Sequence, residues 1–307
     1  MDRFETLKAF VQVVESGSLT RAADTLQVAT SAVSRRIKEL EERLGTQLLQ
    51  RTTRQMRLTA AGETFHSRAR EILSALDEAE AEAGDQARTL AGPLRIAAPL
   101  SFGRSHLSPI LLDFVDANPG LKLDVDFSDR VIDLVAEGHD LAVRIGNLRD
   151  SSLIARKLAE VRTVAAASPA FWDQHGRPSK AEDLQGFPAL CYTGSERTGT
   201  WRFTRPDGSE GLVEMVAAMR STNGDFLRDA SVAGHGVIIH PSFILHRAIE
   251  AGELEPVLID HVWPSITIYV VYPETRHLSA RARALIEFLR ARISTRPEWE
   301  GFLDNPT

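Results

Sequence analysis

In Thr30-Ser31-Ala32-Val33-Ser34-Arg35-Arg36-Ile37-Lys38-Glu39-Leu40-Glu41-Glu42-Arg43-Leu44-Gly45, the apolar residues Val33, Ile37, Leu40 and Leu44 fall 4, 3 and 4 apart. That period is one face of an α-helix, here read from Ser31 to Leu44, and the face turns toward a core. Thr30, Ser31, Ser34, Arg35 and Lys38 then point the other way. They offer short hydroxyls and cations, which suit a groove of bases and phosphates. Upstream, Ser18 can cap a short helix whose inner face of Leu19, Ala22, Ala23 and Leu26 permits close helix approach. Downstream, Gly45 ends the main helix, and Arg51-Thr52-Thr53-Arg54 with Arg57 form a basic stretch without an acid. A lone basic amphipathic helix is ordinarily a solvated surface. Here a tight turn, a hydroxyl-rich outer face, a helix-ending glycine and an acid-free basic segment coincide, and together they read as a winged helix-turn-helix.

The run Ser18-Leu19-Thr20-Arg21-Ala22-Ala23, then Ser31-Ala32-Val33-Ser34-Arg35, Ile37, Leu40-Glu41, Leu44-Gly45, Leu48, Arg51-Thr52-Thr53-Arg54 and Leu58-Thr59-Ala61-Gly62 resembles the LysR-type transcriptional regulators. Candidate DNA contacts are Ser18, Thr30, Ser31, Ser34, Arg35, Lys38, Arg51, Thr53 and Arg54. Where the family has a serine cap and then a glutamine before its recognition helix, this chain has Ala29 and Thr30. Losing a hydroxyl cap costs roughly 0.5–2 kcal/mol, unless Thr30 takes over as cap. Thr30 is also too short for the bidentate adenine contact that Gln makes.

The chain has 307 residues, 43% of them apolar, enough for a small domain and a larger one. No window reaches 18 consecutive apolar residues, and Met1-Asp2-Arg3 leads into an amphipathic helix instead of a signal peptide, so a cytoplasmic protein with no membrane partner is expected. A single cysteine, Cys191, excludes an internal disulfide framework and reads as a buried strand residue. The formal charge is −6, yet residues 1–58 carry 10 Lys/Arg against 7 Asp/Glu, and seven cations face three acids between Arg35 and Arg57. Local clusters, not the total, set nucleic-acid affinity.

Three domains are expected: a winged helix-turn-helix over 1–58, a linker and dimerisation helix over 59–90, and an effector-binding domain over 91–307. The first helix should run from residue 3 to 15 with Phe4, Leu7, Phe10, Val11 and Val14 inward. Between Thr59 and Leu90, Phe65, Ala69, Ile72, Leu76, Ala79 and Ala83 repeat as a heptad seam, either a dimerisation helix or an amphipathic helix packed on its own domain. Ala91-Gly92-Pro93 should break it as a hinge. Beyond it, strands at 94–98, 121–127 and 141–146 alternate with helices near 107–115 and 131–135. Helix 222–233, strand 236–240 and helix 279–293 repeat the pattern, with crossovers near 153–167 and 189–193. This predicts an α/β fold of two lobes with parallel sheets and a cleft, as in periplasmic-binding-protein-like domains.

Ligands in such folds bind beyond the carboxyl ends of strands, near helix N-termini. That rule selects Ser101, Phe102, Ser128, Arg144, Gly146, Thr193, Asn223 and Pro241. Ser128, Asn223 and Gly146 also suit plain capping or turn roles, and Arg144 needs an acidic partner, a ligand carboxylate or an exposed position. The expected effector is a small organic acid or aromatic compound, with no cofactor and no metal. The stretches Ser128-Asp129-Arg130, Gly138 through Gly146, Asp150 through Arg156, Ala167-Ser168-Pro169, Gly234 through Pro241 and Tyr272-Pro273 resemble the CrgA-like branch of the same family. The resemblance implies an inducer at the cleft positions, with Ser101 as the recurrent hydroxyl, and a dimer or dimer of dimers.

Rival classes fit less well. Thr193-Gly194-Ser195-Glu196-Arg197 lacks the second glycine of a hydrolase elbow, and Ile239 stands where a nucleotide loop needs its third glycine. His235 and His240 lie five apart across a strand and share no face. A solute-binding protein would not need the N-terminal unit. An architectural DNA binder would leave some two hundred C-terminal residues without a use.

Overall fold

The computed structural model describes residues 2–51, 56–83, 90–146, 153–193, 199–274, 278–293 and 297–304. At the N-terminus, α1 (Arg3–Ser16), α2 (Leu19–Leu26) and α3 (Thr30–Leu44) enclose a core of Leu7, Phe10, Val13, Ala22, Ala23, Val33, Ile37 and Leu40. Asp2 caps α1, Ser18 caps α2, and Gly17 and Gly45 close α1 and α3 in the left-handed region. Phe4 and Leu44, expected inward, are exposed instead, because each lies at a helix end beyond the reach of the facing helices.

The hairpin β1 (Leu49–Arg51) and β2 (Met56–Leu58) follows, pairing Leu49 with Leu58. Glu41 of α3 holds its first strand by accepting from the Leu48 and Leu49 N–H groups at 2.8 and 3.0 Å. Then α4 (Ala60–Ala83) begins under a Thr59 cap. Gly62 sits where a Cβ would lie 2.1 Å from the Leu48 carbonyl oxygen, so only glycine lets α4 approach the hairpin this closely. Phe65, Ala69 and Leu73 pack on the N-terminal core, whereas Ile72 is exposed. The early part of the heptad seam is thus used within the chain. Serine and arginine side chains also tie α4 forward: Ser67 donates to the Val135 carbonyl and Arg70 to the Gly138 carbonyl, at 3.2 and 2.8 Å.

The remainder is two lobes. The first sheet has the order β4-β3-β5-β14-β6, formed by β3 (Ala91–Ala98), β4 (Gly120–Phe127), β5 (Leu141–Ile145), β6 (Leu153–Val161) and β14 (Ile266–Pro273). A continuous helical stretch, α5 (Leu100–Phe102), a π turn (Gly103–Leu107) and α6 (Ser108–Asp116), packs on it with α10 (Ala280–Arg292). The second sheet has the order β11-β8-β12-β7-β13. Its strands are β7 (Thr163–Ala167), β8 (Ala189–Tyr192), β11 (Ala217–Ser221), β12 (Val237–Pro241) and β13 (Glu255–Val257). Around it lie α7 (Pro169–His175), the hairpin β9 (Thr200–Thr204) and β10 (Glu210–Glu214), α8 (Gly224–Val232) and α9 (Ser242–Glu250). Cys191 is buried in β8, and burial pushes its thiol pKa up.

Three expectations are corrected. The sheets are mixed, because the chain crosses between lobes at Arg162 and returns in β14, which runs antiparallel to β5 and β6. Ala91-Gly92-Pro93 is no hinge but the start of β3, paired with Gly120-Leu121-Lys122. Residues 131–135 form no helix, since Ser128 and Asp133 side chains take the Arg130, Val135 and Ala136 N–H groups into local turns. Among the described residues no helix is long and apolar enough to cross a membrane.

The C-terminal turn Glu298–Glu300 and α11 (Gly301–Asp304) fold back on the crossover. Glu300 is buried, accepts from Ser242 Oγ and Arg162 Nε at 2.5 Å each, and so secures the point where one lobe passes into the other.

Candidate nucleic-acid interface and ligand cleft

Helix α3 turns Val33, Ile37 and Leu40 fully inward, which leaves Thr30, Ser31, Arg35 and Lys38 exposed and Ser34 half-buried on one outer face. Arg36 is the exception among its cations, reaching back to Glu5 of α1 at 3.3 Å. Arg35 and Lys38 meet Glu39 and Glu42 at 3.8 and 3.6 Å, exposed pairs that hold a side chain weakly and leave it available to a phosphate. Ala29 occupies the N-cap position with extended backbone and no side-chain cap bond, and Thr30 is the first helical residue. The helix therefore starts one residue earlier than expected, and Thr30 does not serve as cap. Ser18 Oγ accepts from the Arg21 N–H at 3.4 Å as the N-cap of α2. Arg51 ends β1, while Thr53 and Arg54 lie outside the described residues.

In the cleft, Ser101 of the first lobe donates from Oγ to Asp225 Oδ2 of α8 in the second, at 2.8 Å. Arg228 in turn holds Asp225 at 2.8 Å and Asp229 at 2.8 Å. The Leu100 N–H, at the start of α5, donates to Asp129 Oδ1 at 3.0 Å. Ser101, the hydroxyl expected to meet a ligand, and the Leu100 N–H beside it are thus already satisfied by the protein's own carboxylates. Burial, with Asp129 nearby, raises the pKa of Tyr192 at the end of β8. His240, 5.6 Å from Tyr192 ring to ring, is buried and held neutral, with its pKa lowered to about 4 chiefly by desolvation. Gly224 is required there, for a Cβ would come within 2.5 Å of His240 Nε2.

The other sequence candidates divide. Arg144 is half-buried and donates to the Ile132 carbonyl at 2.6 Å, and burial lowers its pKa. Its partner is a backbone carbonyl, where the sequence offered an acidic partner, a ligand carboxylate or an exposed position. Gly146 takes φ +122°, Ser128 and Asn223 accept from the Arg130 and Phe226 N–H groups, Thr193 is exposed, and Pro241 precedes α9. Phe102 does not line the cleft. It is fully buried, with its ring against His106, Phe243 and Trp299 at 5.4–5.6 Å, because α5 turns that side chain into the interlobe core. Asp225 and its partner Arg228 were missed, since an acid in a helix's first turn reads locally as dipole compensation and nothing nearby in sequence announces a partner 124 residues away.

A helix-turn-helix unit with a hydroxyl- and cation-bearing outer helix, joined to a two-lobed α/β domain with an interlobe cleft, defines a ligand-responsive class of DNA-binding regulators. Residues 4–63 match the model of the bacterial regulatory helix-turn-helix protein, lysR family, and residues 87–294 match the LysR substrate binding domain. The chain belongs to the LysR-type family of transcriptional regulators. It is 35% identical over 286 residues to the HTH-type transcriptional regulator CrgA of Neisseria meningitidis serogroup C, covering 93% of this chain and 95% of that one. A regulator from Haemophilus influenzae is 35% identical over 285 residues, covering 93% and 99%. Among solved structures, CrgA from Neisseria meningitidis matches with TM-score 0.61 at 33% identity, covering 95% of this chain and 99% of that one. The full-length Vibrio cholerae virulence activator AphB matches with TM-score 0.59 at 29% identity, covering 94% and 99%.

Proposed function

We propose that this regulator reads a specific double-stranded DNA sequence through α3 and the basic hairpin, as a homodimer or dimer of dimers, under control of a small effector in the interlobe cleft. The observation that carries the reading is the outer face of α3, where Thr30, Ser31, Arg35 and Lys38 are exposed together beside an uncapped helix N-terminus. Ser31, Ser34 and Thr30 touch bases or backbone, and Arg35, Arg51 and Arg54 meet phosphate or guanine. Residues 1–58 form the DNA unit, 59–90 the linker and dimerisation helix, and 91–307 the effector domain. The exposed Ile72 on α4 supports self-association along that helix.

The effector is an organic acid, aromatic or aliphatic, that binds by replacing a carboxylate of the protein: its own acid group takes the Ser101 hydroxyl from Asp225. Releasing Asp225 changes the contact between lobes, and the loop 128–140 carries the change to α4 through Val135 and Gly138. Such control requires that the acid favour one lobe arrangement over the other. The test is fluorescence anisotropy on DNA upstream of the protein's own gene, in competitor DNA and over a salt series. Each phosphate contact contributes about −0.9 to the log–log slope, so Arg35→Ala should lose about one unit of it. Equal binding to random DNA, followed by failure to select any site from a random pool, would refute sequence-specific reading.

A further inference from the structure

We propose a second small-molecule site, distinct from the cleft: a lateral groove between the lobes that takes a compact polyanion. The groove encloses about 470 Å³, within the range of roughly 300–1,000 Å³ usual for ligand pockets. The first lobe contributes Arg104 from the π turn, and the second contributes Arg228 from α8 and Arg247 from α9. The guanidinium groups of Arg104 and Arg247 make no hydrogen bond or ion pair among the described residues. Elsewhere in the same domain Arg95, Arg130, Arg162, Arg177 and Arg292 each hold a carboxylate within 3 Å. Two guanidinium groups brought by different lobes to one cavity repel each other until an anion lies between them.

The acids of the groove do not cancel this. Asp229 is already held by two Arg228 nitrogens at 2.8 and 3.0 Å, and Glu253 stands in the wall as the opposing charge. The contrast with the cleft is electrostatic: there the Leu100 and Ser101 donors are taken by Asp129 and Asp225, whereas here the Arg104 and Arg247 guanidinium groups hold no carboxylate among the described residues. Arg228 links the two places, because it lines the groove and also holds Asp225. A polyanion that engages Arg228 competes with Asp225 for it and so loosens the contact between Asp225 and Ser101.

The test is calorimetric titration of the full-length protein with inorganic pyrophosphate at constant ionic strength. One saturable site per chain is expected, weakened by about tenfold or more in the Arg104→Gln/Arg247→Gln double variant, as loss of charge-assisted hydrogen bonds implies. Arg290→Gln, on the exposed surface of α10, should leave the affinity within about twofold. Glu253→Gln should tighten binding severalfold, a gain that misfolding cannot imitate. The proposal is overturned if no saturable site appears, if the double variant binds as well as the wild type, if Glu253→Gln brings no gain, or if Arg290→Gln abolishes binding.

Discussion

Ser101 Oγ and Asp225 Oδ2 lie 2.8 Å apart across the two lobes, joining residues 124 positions apart in sequence. The hydroxyl that the family resemblance assigns to the effector is occupied by a carboxylate of the protein, itself held by Arg228. An incoming acid must therefore replace Asp225 at a position already suited to an acid. Asp225→Asn keeps an oxygen acceptor for Ser101 and removes the competing charge, so it should bind benzoate, as a probe acid, about tenfold more tightly than the wild type, close to 1.4 kcal/mol. Calorimetry decides it: an unchanged affinity means that Asp225 does not compete with the ligand.

Glu41 fixes the basic hairpin to the recognition helix by accepting two backbone N–H groups. Glu41→Ala leaves both without their charged acceptor and should lower the stability of the N-terminal unit by about 2–4 kcal/mol in a urea titration. Glu41→Gln retains an acceptor oxygen and should recover part of that loss. If Ala and Gln behaved alike and cost nothing, the hairpin would be held by other contacts.

Ala29 leaves the N-terminus of α3 without a side-chain cap. Ala29→Ser should stabilise the N-terminal unit by about 0.5–2 kcal/mol, visible as a higher Tm. A neutral result would show that the exposed N–H groups there are as well served by water.

His66 of α4 has its pKa lowered to about 4, first by burial and then by Arg70 and Arg95. Its Nε2 has no hydrogen-bond partner among the described residues. In the unfolded chain it titrates near 6.5, so between these values the unfolded state binds a proton that the folded state refuses. Its contribution to stability is present in full above about 6.5 and is lost as the pH falls through 4. His66→Gln should flatten the fall in stability over that window, measured by urea unfolding at stepped pH. A slope equal to that of the wild type would mean that other groups govern it.

The N-terminal unit was legible in the sequence because its determinants are local. Val33, Ile37 and Leu40 repeat with the helical period, Ser18 caps α2, and Gly17 and Gly45 end helices, all within one or two turns of chain. Gly62 stood in the motif, yet its reason, the Leu48 carbonyl against α4, needed coordinates. In the larger domain the alternation of strand and helix announced two α/β lobes, but period alone does not give strand direction, and the antiparallel entry of β14 followed from the chain crossing between lobes twice. The cleft was least legible. Sequence rules pointed to Ser101 as a residue at a strand's end, while Asp225 and Asp129 acquire their roles only when distant segments meet. Tertiary structure decided them because a hydrogen bond depends on separation in space, and the spacing along the chain that sequence records carries no such distance.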